Sequence, residues 1–226
     1  MNIAFIPARG GSKRIPGKNL KLFCGRPLII YALEAIQNSG VFDQVIISSD
    51  SKEILDFGRN IGVQVLERKS KLADDFTTIS DVVKDFITQH GFQLSDSVCC
   101  VLPSNPFISS LDLIEAHNLH PRWEYIYTVI ESQKPIERVL RRLEDGTTRI
   151  LNPEFLDLRT QDLPKSYFDA GQFYYATVKS WISGSSILNS QSLGLPCHLK
   201  NSVDIDTMDD WKVAEALFGI NIGERE

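Results

Sequence analysis

Short apolar segments alternate with longer segments of helical period over the first 120 or so residues, and glycine, proline or small polar residues mark the boundaries. That alternation limits the possible folds more than any other feature. Asn2–Pro7 is an apolar run that ends in a turn. Pro27–Ser39 carries Leu28, Ile29, Ala32, Leu33 and Ile36 at helical spacing, with Pro27 suited to the first turn and Gly40 to the C-terminal cap. Gln44–Ser49 predicts a second strand, Asp50 the cap of a helix over Lys52–Asn60, and Gly62 its close. A strand over Val63–Glu67, a helix over Thr78–His90 stopped by Gly91, a buried strand over Ser97–Leu102 and a helix over Leu111–Leu119 complete the series. Strands separated by helices of about 10–15 residues imply βαβ units, hence a mostly parallel sheet with helices on both faces.

After about residue 123 the rhythm changes. Tyr125–Ile130 and Glu137–Leu143 read as strands with no helix between them, and 133–168 as a β-rich excursion full of turns and charge. Gly171–Val178 and Cys197–Ile205 return to strand character, and Met208–Phe218 predicts a closing helix. The expected architecture is one α/β domain over residues 1–226, three-layered and Rossmann-like, with that excursion inserted. No window approaches 18 uninterrupted apolar residues, and Met1–Pro7 lacks the basic flank and length of a secretory leader, so neither a membrane span nor a leader is expected. The cysteines Cys24, Cys99, Cys100 and Cys197 show no CxxC pairing and the four histidines no cluster, which predicts reduced thiols in a cytoplasmic protein. Cys99 and Cys100, adjacent in a strand, should face opposite sides of the sheet.

Charge narrows the function. The chain carries a formal net charge of −5, yet residues 1–33 hold Arg9, Lys13, Arg14, Lys18, Lys21 and Arg26 and no acid, a +6 segment on a −11 remainder. A nucleic-acid binder spreads its cations over a basic face. One positive loop on an acidic body suits a small polyanion instead.

Three constellations carry the chemistry, each expected at the carboxyl end of a strand, where open α/β sheets bind ligands. The first is Pro7-Ala8-Arg9-Gly10-Gly11-Ser12-Lys13-Arg14-Ile15-Pro16-Gly17-Lys18-Asn19. Adjacent glycines let a backbone turn sharply and aim N–H groups at an anion, and four cations between positions 9 and 18 add charge for a triphosphate. The spacing is neither that of a Walker loop nor that of a GxGxxG. The second is Asp204-Ile205-Asp206, read as two carboxylates emerging together at a strand end, with Thr207 and Asp210 forming a box that caps the last helix. Paired carboxylates repel unless a cation lies between them, and Mg²⁺ favours such oxygen ligands with phosphates completing its shell. The third runs from Arg159, Gln161 and Asp162 through Lys165 to Asp169-Ala170-Gly171-Gln172-Phe173-Tyr174 and suits a polar acceptor bearing a carboxylate, for which Arg is the bidentate partner. Arg68 at the third strand end can reach a base or phosphate, and Ser104 in Pro103-Ser104-Asn105-Pro106 a ribose or acceptor hydroxyl.

The run Ile6–Lys13 with Ile15–Asn19, the Gln161-Asp162-Leu163-Pro164 segment and Asp204-Ile205-Asp206-Thr207 resemble the signature of the acylneuraminate cytidylyltransferases over essentially the whole chain. That resemblance implies a nucleotidyltransferase fold, transfer of CMP from CTP to the anomeric hydroxyl of a nonulosonic acid with release of pyrophosphate, dependence on Mg²⁺, and a homodimer built through the excursion. It implies that Ala8, Arg9, Gly10, Gly11, Ser12, Lys18, Asn19, Arg68 and Ser104 bind nucleotide. Lys18 would lie nearest the α-phosphate and act with Arg9 and Asp206 as the catalytic set, with Asp204 and Asp206 on the metal. Arg159, Gln161, Gln172 and Tyr174 would contact the acceptor. The proton of the attacking hydroxyl would go to Asp206 or to a water on the metal. Asp169-Ala170-Gly171-Gln172-Phe173-Tyr174 is closer to the pseudaminic acid branch than to the neuraminate enzymes, in which an Asn stands where this chain has Ala170. N-acetylneuraminic and legionaminic acid remain alternative acceptors. A metal-dependent DxD glycosyltransferase and a non-catalytic nucleotide sensor are the readings from other classes, and the polycationic loop argues against the former.

Overall fold

Apolar β-branched runs and glycine-capped amphipathic helices fold as their spacing dictates. The computed structural model describes residues 1–74, 76–198 and 202–223. In chain order the elements are β1 (Asn2–Pro7), β2 (Leu22–Phe23), β3 (Arg26–Pro27), α1 (Leu28–Ser39), β4 (Gln44–Ser49), α2 (Lys52–Asn60), β5 (Gln64–Glu67), α3 (Ile79–His90), β6 (Ser97–Val101), α4 (Ser110–Leu119), β7 (Tyr125–Glu131), β8 (Leu140–Arg142), β9 (Thr148–Ile150), β10 (Tyr167–Thr177), α5 (Val178–Ser183), β11 (Leu193–Pro196) and α6 (Met208–Gly223). Gly40 and Gly91 close α1 and α3 in the left-handed conformation.

Seven strands form one sheet in the order β11-β7-β10-β6-β1-β4-β5. All run parallel except β10, which is antiparallel to both its neighbours. One face packs on α1, α2 and α4 through Ile29, Ala32, Ile54 and Leu113. The other packs on α3 and α5 through Val83, Phe86 and Trp181. Cys99 belongs to the first core and Cys100 to the second, as alternation along β6 requires. A third cluster seats α6 on the β2–β3 hairpin, with Phe23 edge-on to Trp211 at 5.6 Å. The strand order turns back on itself at β1, with β4 and β5 on one side and β6 on the other. The segments after β1 and β6 therefore border a crevice at the carboxyl edge.

Three expectations are corrected. Asp50 does not cap α2; Ser51 is the N-cap residue, and Asp50 turns back to accept a hydrogen bond from the Gly10 amide at 2.8 Å. No strand forms over Cys197–Ile205, of which 199–201 lie outside the described residues. The last strand is instead β11, an edge strand where Pro196 gives up no ladder bond, and 202–206 is irregular because its backbone bonds to loops. In the excursion, Glu137–Leu143 is a 3-10 turn at Ile136–Arg138 followed by the three-residue β8, since Asp145-Gly146 folds β8 back onto β9.

Candidate active site

The loop after β1 is shaped by packing as much as by chain freedom. A Cβ on Gly10 would meet the Ser51 Cβ at 2.7 Å, so only glycine lets the loop close on the turn after β4. The Ala8 amide donates to the Ser48 carbonyl at 2.9 Å and the Ser12 amide to the Gly10 carbonyl at 2.9 Å, while Asn19 Nδ2 reaches the Arg9 carbonyl. With Gly10 bonded to Asp50, three loop amides expected to face an anion are engaged within the protein. Ala8 is fully buried and serves as floor. Charge presented to a ligand therefore comes mainly from side chains.

Those side chains line two adjoining openings of about 250 and 350 Å³ that share Arg9, Lys18 and Asn19. The first also takes in Arg68, Leu72, Thr77 and Ser104; the second takes in Ser12, Lys13, Arg14 and Asp206. Arg9 donates to the Asp74 carbonyl at 3.0 Å. Arg68 is buried, with Nη2 on the Ser48 carbonyl at 2.8 Å, and desolvation pulls its pKa below the ordinary arginine value against the charge of Asp50.

The second constellation meets the first in this crevice. Arg14 Nη2 lies 3.0 Å and Lys18 Nζ 3.6 Å from Asp206 Oδ1, and Lys18 Nζ donates to the Ile205 carbonyl at 2.7 Å. Ser104 accepts from the Ile205 amide through its carbonyl and bonds Asp204 with its side chain. Burial raises Asp204 above the usual carboxylate range; Ser104 opposes the shift and the charge of Asp206 adds to it. Thr207 and Asp210 cap α6 reciprocally, which fixes the end of the aspartate segment.

The third constellation divides. Arg159 and Gln161 sit at a 3-10 turn of the excursion and are not among the residues lining the two openings, and Arg159 is held by both oxygens of Asp162 at 2.6 and 3.0 Å. Gln172 is fully buried, its Nε2 on Ser202 Oγ at 3.1 Å, so it lies beneath the aspartate segment rather than on a wall. Tyr174 is nearly buried and donates its hydroxyl to Asp169 at 2.7 Å. One polar group beside the site was not among the residues expected there. Asp50 directly follows β4 at the carboxyl edge, a position that could have flagged it. Asn105 is fully buried and bonds Ser202 and the Ala170 carbonyl, joining three segments under the site.

A polycationic loop after the first strand, opposite two aspartates before the last helix, is the arrangement on which comparison with known proteins bears. The model of the family described as Cytidylyltransferase matches residues 3–200. The chain belongs to that family. This cytidylyltransferase is 34% identical over 225 residues to the pseudaminic acid cytidylyltransferase of Campylobacter jejuni, with 97% of each chain covered. It is 32% identical over 228 residues to the CMP-N,N'-diacetyllegionaminic acid synthase of Legionella pneumophila, again with 97% of each covered. A solved CMP:2-keto-3-deoxy-manno-octonic acid synthetase complexed with CTP shares the cytidylyltransferase's fold at a TM-score of 0.70 and 14% identity, covering 97% of this chain and 99% of that one. No helix among the described residues is long and apolar enough to cross a membrane.

Mg²⁺, implied by the family, can be tested against the donor set. Among the described residues no three His, Cys, Asp or Glu side chains form a ready cage. Asp204 and Asp206 are near enough, however, for the charge of Asp206 to add to the desolvation that raises Asp204, and both are hard oxygen donors. They fit a cation that draws the rest of its shell from a nucleotide.

Proposed function

We propose that the enzyme transfers CMP from CTP to the anomeric hydroxyl of a nonulosonic acid of the pseudaminic type and releases pyrophosphate. The observation that carries this reading is the Lys18–Asp206 contact, which brings the cationic loop against the aspartate segment at one opening. Both reactants are anions, so the protein must screen their repulsion and align an in-line attack on the α-phosphorus, work done by positioning and charge. Arg9, Ser12, Lys13 and Arg14 receive the outer phosphates. Lys18, whose pKa burial pulls below the ordinary lysine value against Asp206 and Asp204, stabilises charge that develops on the α-phosphate oxygens. Arg68, Thr77 and Ser104 line the part of the crevice proposed for the nucleoside.

Asp204 and Asp206 would hold Mg²⁺. When bound, the ion would neutralise phosphate charge and ease ionisation of the acceptor hydroxyl. Asp206, which lines the second opening beside Lys18, is the residue of this chain we assign to receive that proton. The pseudaminic preference is supported by Ala170, which is buried and offers no polar side chain, and by the identity to two pseudaminic acid cytidylyltransferases. Exposed Ile136, Val139, Leu140, Leu143 and Leu156 on the excursion 133–168 support a homodimer formed there, and Arg159 and Gln161 are proposed as acceptor contacts carried by the same segment. Four free cysteines fit a reducing cytoplasm.

Pyrophosphate release from CTP with a panel of pseudaminic, legionaminic and neuraminic acids tests the reading. Fastest release with pseudaminic acid is expected. Release with none of the three overturns it.

A further inference from the structure

The register between β10 and β7 breaks beside the site. Tyr167, Phe168 and Asp169 pair with Glu131, Ile130 and Val129, and pairing resumes only at Tyr174 with Tyr127. Bulges of this kind re-aim side chains next to active sites. Inside this one, Gly171 is left-handed at φ +60°, and a Cβ there would lie 3.0 Å from Asp204 Oδ2. The Gly171 amide donates to Asp169 Oδ1 at 2.9 Å, and the Tyr174 hydroxyl donates to Asp169 Oδ2 at 2.7 Å. Asp169 and Asp204 thus flank one glycine, and both oxygens of Asp169 are fixed by groups of its own strand. Asp169 is exposed, and no cation among the described residues forms an ion pair with it. Its charge acts on Asp204 on one side and on the Cys197 thiol on the other. Cys197 lines a cavity of about 450 Å³ with Val129, Lys165 and Tyr167 at the ends of β7 and β11.

A clamped carboxylate without a cation is an unusual neighbour for a substrate that carries a carboxylate of its own. It repels that end of the acceptor and keeps a free lone-pair position on each oxygen for hydrogen-bond donors. We propose that Asp169 determines acceptor specificity, accepting a hydrogen bond from an N–H or O–H group on the sugar skeleton and turning the acceptor's carboxylate toward the cations. This rests on the functional reading above and adds the feature of the acceptor that is recognised. Tyr174 is then a positioning residue that holds Asp169.

Asp169→Ala and Asp169→Asn, with Tyr174→Phe as the variant that keeps the carboxylate and loosens it, are compared with the parent enzyme in steady-state pyrophosphate release. Two acceptors are used, one N-acylated nonulosonic acid and one amide-free ulosonic acid. Loss of a charged hydrogen bond predicts an acceptor KM raised about tenfold or more in Asp169→Ala, with the CTP KM held within about twofold. Asp169→Asn and Tyr174→Phe should move the acceptor KM in the same direction by less. A rise confined to the N-acylated acceptor assigns the donor to an acylamino N–H; an equal rise with both assigns it to a hydroxyl. An unmoved acceptor KM, or a CTP KM that rises in parallel, overturns the assignment while leaving the functional reading intact. No transfer by the parent enzyme to any nonulosonic acid overturns both.

Discussion

The Lys18 ammonium stands 3.6 Å from Asp206 Oδ1, so a residue of the first loop closes on the segment before the last helix. Burial has already stripped Lys18 of much of its hydration, and its partners are Asp206 and the Ile205 carbonyl. A phosphate oxygen arriving there gains an ammonium that needs little further desolvation. Such preorganised charge acts more on the transition state than on the bound substrate. Lys18→Ala should therefore lower kcat by about 10²-fold or more and raise the CTP KM by less than about tenfold, read by pyrophosphate release. The opposite split would assign Lys18 to ground-state binding.

The Asp204 side chain bonds Ser104, and the neighbouring Ile205 amide bonds the Ser104 carbonyl, which ties Asp204 to the turn after β6. Asp204→Asn keeps the shape and removes the charge. It should reduce kcat by at least ~10²-fold, about 2.7 kcal/mol of transition-state stabilisation, and weaken the Mg²⁺ dependence of turnover while leaving the unfolding transition in place. Near-normal turnover at the parent's Mg²⁺ optimum would remove Asp204 from the metal.

Asp50 touches the loop rather than the ligand. Its carboxylate takes the Gly10 amide at 2.8 Å, and its charge faces buried Arg68. Asp50→Ala leaves that amide unpaired and Arg68 less compensated, which should raise the CTP KM about tenfold, whereas Asp50→Asn keeps the acceptor oxygen and should cost less. Equal KM values in the two variants would show that Asp50 does not set the loop.

The parts of the chain legible in sequence are those whose causes are local. The strands Asn2–Pro7 and Gln44–Ser49 and the helix starts and stops at Thr78, Gly40 and Gly91 follow from periodicity and capping within a few residues. The cationic loop was legible as well, because it follows a strand at the carboxyl edge, whereas Asp204 and Asp206 were expected at a strand end and lie instead in irregular chain before α6. What failed was set by distant partners. Asp50 reads as a helix cap until Gly10 claims it, and 202–206 reads as strand until Ser104 and Lys18 take its backbone. The bulge that turns Asp169 beside Asp204 depends on the register against β7, which alternation within β10 alone cannot reveal.

A last prediction concerns stability at the opposite edge of the sheet. His120 stacks on Tyr175 with centroids 4.7 Å apart and shares a hydrogen bond with Ser97 Oγ at 2.8 Å. Burial first, and the nearby His117 second, push its pKa down to about 4 from 6.5. A histidine with a lower pKa in the folded state binds its proton more readily when unfolded. Its stabilising contribution is therefore complete above about pH 6.5 and is lost as the pH falls toward about 4. Asp81 and Asp210, held below the ordinary carboxylate range by their threonine caps, lose theirs at lower pH. His120→Phe keeps a ring against Tyr175 and cannot titrate. Urea-unfolding midpoints between pH 7 and 4 should fall for the parent enzyme and flatten for the variant; parallel curves would place the acid sensitivity elsewhere.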